Sequence, residues 1–172
     1  MNLVSIVGRK GSGKTEVLES LIRMLTQRGY RIGVIKRLAN PNLEIDEFGK
    51  DTYRYRMQGA ETVILAGKKR LARFSNLTEE PPLEELLASF ADFNLIFLEG
   101  YYYDEIPKIE VRKKESGDPL LTERVQNIFA VCSDKPLGYE PLLCPSFSFD
   151  RLDQLASLIE ARLFPKETEI SR

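Results

Sequence analysis

The chain has 172 residues, 42% of them hydrophobic and 30% charged, which fits one folded domain with a sizeable core and excludes a disordered or low-complexity chain. Its 25 basic and 26 acidic residues nearly cancel, so the whole-protein field gives no general attraction to nucleic acid or to anionic membranes. Histidine is absent, which excludes a Ser-His-Asp triad, a histidine base and histidine metal ligands, and the two cysteines, Cys132 and Cys144, have neither metal nor redox spacing and read as buried free thiols.

Met1 leads directly into the apolar run Leu3 to Val7, with no charged start or cleavage site, and no later run reaches membrane-spanning length. The expectation is a cytoplasmic protein. Leu3 to Val7 reads as a buried strand that stops at Gly8. Val17, Leu18, Leu21, Ile22 and Leu25 then recur at helical spacing from Lys14 to Arg28, with Gly29 as the stop. Arg31 to Lys36 is a second strand. After a polar loop containing Pro41, Asp51 is placed to cap a short helix ending near Gly59.

Thr62 to Ala66 and Leu71 to Phe74 are spaced as the arms of a hairpin across Gly67, Lys68 and Lys69. Pro81 and Pro82 introduce a helical stretch through Leu83, Leu86, Leu87 and Phe90, and Leu95 to Leu98 is a strongly apolar strand. Further strands are expected at Ile109 to Val111 and Ile128 to Val131. Asp150 is placed to cap a final amphipathic helix through Leu163, and residues 166–172 read as a flexible tail after a single domain over 1–165. Alternating strands and helices imply an α/β fold, a mostly parallel sheet flanked by helices with an additional β-hairpin. Ligands in such folds bind at the carboxyl ends of the strands.

Gly8, Arg9, Lys10, Gly11, Ser12, Gly13, Lys14 and Thr15 satisfy the G-x-x-x-x-G-K-[ST] pattern directly after a strand and at the opening of a helix. This is the context of a P-loop, and it makes the fold P-loop NTPase-like. Glycines let backbone N–H groups approach phosphate oxygens, and the helix N-terminus favours negative charge. Lys14 is expected to reach the outer phosphates, and the Thr15 hydroxyl to coordinate Mg2+. Glu99 ends the apolar strand where P-loop enzymes place the acidic residue that holds magnesium. Asp46 and Asp51, on the loop after the second strand, offer further carboxylates for catalysis or metal. For Asp51 the competing role is the helix cap.

With the P-loop in place, the chain resembles the molybdopterin-guanine dinucleotide biosynthesis protein B (MobB) family. The likeness rests on Val34-Ile35-Lys36, Asp46, Gly49-Lys50-Asp51-Thr52, Arg56, Gly59-Ala60, Leu98-Glu99-Gly100-Tyr101, Pro107-Lys108-Ile109-Glu110-Val111 and Ser133-Asp134. It implies a GTP-binding, weakly hydrolysing, magnesium-dependent accessory protein, often a homodimer, that assists the guanylyltransferase attaching GMP to molybdopterin. Lys36, Lys50, Asp51, Arg56 and Lys108 become candidate contacts with ligand or partner. The chain departs from the family in three places: Arg37 stands where histidine is common, Thr52 where serine is, and Tyr102 where lysine often follows.

The N-K-x-D guanine motif is absent, so base choice falls to other groups. Asp134 follows the Ile128 to Val131 strand, where its carboxylate either accepts from guanine N1–H and the exocyclic amine or simply forms a turn. Lys68, Lys69, Arg70 and Arg73 read as a solvated hairpin or a contact for a phosphate-bearing pterin or partner. Tyr101, Tyr102 and Tyr103 read as core packing or as a wall over the ligand. Two other functions use the same cradle: a small-molecule kinase, to which Asp46, Arg56 and the Lys108 region would contribute, and a non-catalytic, nucleotide-gated binding module.

Overall fold

The apolar runs become strands and the segments with helical spacing become helices, in a computed structural model that describes residues 1–40, 43–113, 119–135, 137 and 144–165. The tail expected over 166–172 lies outside the described residues. The elements are β1 (Asn2–Val7), α1 (Lys14–Gln27), β2 (Ile32–Lys36), α2 (Asp51–Met57), β3 (Thr62–Ala66), β4 (Leu71–Ser75), α3 (Leu83–Leu87), β5 (Leu95–Glu99), β6 (Lys108–Arg112), β7 (Ile128–Ser133), β8 (Ser146–Ser148) and α4 (Leu152–Leu163). They form two compact units, residues 1–37 with 90–172 and residues 38–89.

In the first unit six strands make one sheet in the order β2-β5-β1-β6-β7-β8, and each neighbouring pair is parallel. Such a sheet must be buried on both faces, because its crossovers lie over it. The sequence shows this as near-continuous apolar runs: Leu95, Ile96, Phe97 and Leu98 are all fully buried. Alternation sends Val4, Ile6, Leu95, Phe97, Ile109 and Val111 into a core shared with Val17, Leu21 and Leu25 of α1 and with Leu155, Ala156 and Ile159 of α4. Each large aliphatic side chain buried there contributes about 1.5–3 kcal/mol. At the far end of α1, Arg28 donates to Ser157 at 3.2 Å and pairs with Glu160, and Tyr30 stacks on Phe164 with centroids 4.6 Å apart.

Parallel register brings the carboxyl ends of the strands to one edge. Ile6 lies beside Glu99, Lys36 beside Glu99, and Val7 beside Glu110. Everything the sequence marked at the ends of β1, β2 and β5 therefore shares one rim.

The second unit holds α2, α3 and the β3–β4 hairpin. The hairpin is antiparallel, with Val63 opposite Phe74 and Leu65 opposite Ala72, as the alternation predicts. Ile64 and Leu71 on one face and Leu65 on the other are more than half exposed. Arg56 organises this unit. Its guanidinium donates to Glu44 at 2.8 Å, to Asp46 at 3.3 Å and to Asn76 at 3.3 Å, and lies over the rings of Phe74 and Tyr53. The two anions raise its pKa, with the Glu44 hydrogen bond as the main cause.

Three local expectations need correction. Asp51 is the first residue of α2 rather than its cap; Lys50 occupies the cap position, and the Asp51 carboxylate lies 3.8 Å from Arg54. Asp150 lies inside a short 3-10 turn, and α4 opens two residues later. The three-residue strand β8 has too little sequence to show a period and was not expected. Of the two thiols, Cys132 is fully buried, and burial pushes its pKa up to about 12; Cys144 is half-buried.

Candidate nucleotide site

The loop between β1 and α1 turns through glycines that no other residue replaces cheaply. Gly13 has φ 94, and a Cβ there would meet the Phe149 ring at 2.9 Å. Gly8 has φ 147, and its Cβ would meet the Val111 carbonyl oxygen at 2.1 Å. The loop is thus held between the end of β6 and Phe149. The fit leaves the backbone of Lys10 to Thr15 at the mouth of a cavity of about 440 Å3, into which the N-terminus of α1 opens.

Lys14, Thr15, Lys36 and Glu99 line this cavity together. The Lys14 ammonium folds back across its own loop, donating to the Gly8 carbonyl at 2.9 Å and the Arg9 carbonyl at 2.7 Å. Partial burial lowers its pKa; Glu99 opposes that effect and Lys36 adds to it. Glu99 is mostly buried, with 12% of its side chain exposed, and pairs with Lys36 at 3.1 Å. With Lys10 and Glu16 also in the lining, three lysines, two carboxylates and one threonine therefore share one space with the phosphate loop. Among the described residues no three His, Cys, Asp or Glu side chains come close enough to hold a cation alone. Magnesium characteristically takes one or two protein oxygens and completes its shell with phosphate and water, a donor set that Thr15 and Glu99 fit.

The other candidates have surroundings of their own. Asp46 is committed within the second unit: its Oδ1 accepts from the Thr52 hydroxyl at 2.8 Å and the Glu47 amide at 2.9 Å, and its Oδ2 pairs with Arg56. Arg56 is spent on Glu44, Asp46 and Asn76, while Lys50 and Asp51 are exposed. Lys108, expected as a ligand contact, is fully buried, and its Nζ donates to the carbonyls of Tyr103, Ile106 and Gln126. An ammonium has three donors, so Lys108 pins the segment after Glu99 and has none left for a ligand. Asp134 follows β7 directly and is half-buried, but it lines neither this cavity nor its neighbour.

That neighbour contains what the sequence reading missed. A second cavity of about 320 Å3 lies against the other side of the phosphate loop, between Gly8–Ser12 and the end of β6, and Glu110 lines it. Glu110 is 97% buried, since 3% of its surface is exposed, and burial raises its carboxyl pKa. The signal was present as an acidic residue between Ile109 and Val111, inside a strand buried on both faces.

The family profile described as molybdopterin guanine dinucleotide synthesis protein B matches residues 3–134, from the start of β1 to the residue after β7. The chain belongs to the MobB family. Among MobB relatives, the molybdopterin-guanine dinucleotide biosynthesis adapter protein of Haemophilus influenzae is 34% identical over 160 residues, covering 92% of this chain and 87% of that one. The Escherichia coli adapter protein is also 34% identical, over 148 residues, covering 82% and 83%. A crystal structure of molybdopterin-guanine biosynthesis protein B superposes with a TM-score of 0.71 at 26% identity, covering 94% of this chain and 98% of that one. MobB of Bacillus subtilis gives 0.75 at 22% identity, covering 96% and 100%, and shares the P-loop NTPase-like fold.

Proposed function

We propose that the chain is an adapter in molybdopterin guanine dinucleotide biosynthesis that binds GTP with magnesium and hydrolyses it slowly. The observation that carries the reading is the cavity in which Lys14, Thr15, Lys36 and Glu99 meet the phosphate loop, in a chain of the MobB family. Backbone N–H groups and the α1 N-terminus bind phosphate oxygens. Lys14 leaves the Gly8 and Arg9 carbonyls for the outer phosphates, and Lys36 adds a second positive charge. Thr15 and Glu99 hold magnesium, which supplies neutralisation of developing phosphate charge when bound. Asp134, at the end of β7, reads the guanine base.

Slow turnover agrees with the partners of the two candidate carboxylates. Rapid phosphoryl transfer needs a group that orients or activates the attacking oxygen. Glu99 is paired to Lys36, and Asp46 is held by Thr52 and Arg56. Bound nucleotide then acts chiefly as a conformational signal for a partner, the guanylyltransferase that attaches GMP to molybdopterin. The test is pull-down of the purified guanylyltransferase with GTP, GDP or no nucleotide. The reading predicts retention that depends on nucleotide and is lost in Lys14→Ala. Retention indifferent to both would refute it.

A further inference from the structure

The cavity on the β6 side of the phosphate loop has a chemistry of its own. Val111, Pro119 and Leu121 give it apolar walls, Lys10 and Lys113 stand among its lining residues, and Glu110 supplies a carboxylate. Its volume of about 320 Å3 falls at the small end of the roughly 300–1,000 Å3 range of ligand pockets. All of these residues belong to the first unit.

Glu110 has acceptor capacity to spare. Its Oε2 accepts from the Leu121 amide at 3.0 Å and the Thr122 amide is a second backbone donor to the carboxyl, whereas an ionised carboxylate offers about four lone-pair positions on two oxygens. Burying a carboxylate is costly, and burial outweighs the Leu121 and Thr122 amides and the Arg112 charge to raise the Glu110 pKa. Ser12, in the same lining, has a buried hydroxyl without a hydrogen-bond partner among the described residues. A ligand that satisfies this site brings adjacent N–H donors on a flat ring, and an anionic appendage toward the lysines. Adenine lacks such a donor edge. A 2-amino-4-oxo-pyrimidine ring has one, in which the ring N–H and the exocyclic amine lie side by side and match the two oxygens of a carboxylate.

We propose that this cavity binds a heterocycle bearing a 2-amino-4-oxo-pyrimidine edge, with Glu110 accepting from its ring N–H and exocyclic amine and Lys10 and Lys113 facing its phosphate. Two ligand classes carry that edge, a guanine nucleotide and a pterin. The inference rests on the proposed function for this choice of ligands but not for the chemistry of recognition. A guanine nucleotide here would replace Asp134 as the base contact. A pterin would make the cavity a second ligand site beside the phosphate loop.

The test is titration of wild-type protein and Glu110→Gln with two matched pairs: GTP against ITP, which lacks the exocyclic amine, and pterin against lumazine, in which a carbonyl replaces it. Glutamine keeps an acceptor for the Leu121 amide but turns one acceptor into a donor. Wild type is expected to prefer the amine-bearing member of one pair by about ten-fold or more, and Glu110→Gln to abolish that preference. Preference in the nucleotide pair identifies the nucleotide base as occupant; preference in the pterin pair identifies a separate pterin. If GTP fails to bind while pterin is still preferred over lumazine, the proposed function fails and the cavity assignment stands. Equal affinities within both pairs, or a preference that survives Glu110→Gln, would overturn it. A cooperative thermal transition for Glu110→Gln at neutral pH controls for folding.

Discussion

The proposed function gives Glu99 the magnesium chemistry of this site, and its surroundings set the direction of a test. It lies at the end of β5 between β1 and β2, mostly buried and paired with Lys36. Glu99→Gln keeps the shape and removes the charge, so hydrolysis in the presence of magnesium should fall by about ten-fold or more while magnesium-free nucleotide binding changes little. Equal hydrolysis across a magnesium titration would remove Glu99 from the site. Glu110 makes a prediction about pH instead. Its pKa is raised from 4.5 by burial, so protonation favours the folded state. The corresponding stability is fully present below 4.5, is lost as pH rises through the folded value, and stays lost above it. Glu110→Gln escapes that loss. Its melting temperature relative to wild type should therefore rise from pH 4.5 to pH 7.5, measured by thermal denaturation; a constant difference would mean that Glu110 titrates alike in both states.

At the scale of elements, the phosphate loop works because β1, β6 and Phe149 fix its path. Gly13→Ala combines a left-handed φ of 94 with a Cβ 2.9 Å from the Phe149 ring, so both strain and overlap oppose it. The cost should be about 1–3 kcal/mol in urea unfolding, with phosphate affinity also reduced. Stability and affinity equal to wild type would show that the loop adapts. Elements with a long period were legible in the sequence: α1 from Val17, Leu21 and Leu25, and β5 from four successive apolar residues. The β3–β4 hairpin was legible from Gly67 and its flanking runs. The start of α1 at Lys14 was legible too, but those of α2 and α4 were not, because Asp51 and Asp150 fit a cap in composition while the chain turns into the helix at a neighbouring residue. The roles of Lys108 and Arg56 were hidden for a related reason. Their charges suggest a ligand, but carbonyls of Tyr103, Ile106 and Gln126 take one and the carboxylates of Glu44 and Asp46 take the other. Such partners lie up to 18 residues away and leave no spacing signature.

At the scale of the whole molecule, parallel register gathers strand ends far apart in sequence, Val7, Lys36 and Glu99, around one phosphate loop. That gathering was legible, since the P-loop dictates a strand, a turn and a helix, and a parallel sheet dictates where ligands bind. Glu110 was not, because its importance comes from a cavity that only the folded chain encloses. The central claim is that Gly8 to Thr15 bind the phosphates of GTP, and isothermal titration calorimetry with GTP and magnesium tests it most directly. Wild type should bind GTP more tightly than ATP, and Lys14→Ala, still folded by circular dichroism, should lose about ten-fold or more in affinity, as expected for charge-assisted hydrogen bonds to phosphate. Undiminished GTP affinity in folded Lys14→Ala would contradict the account.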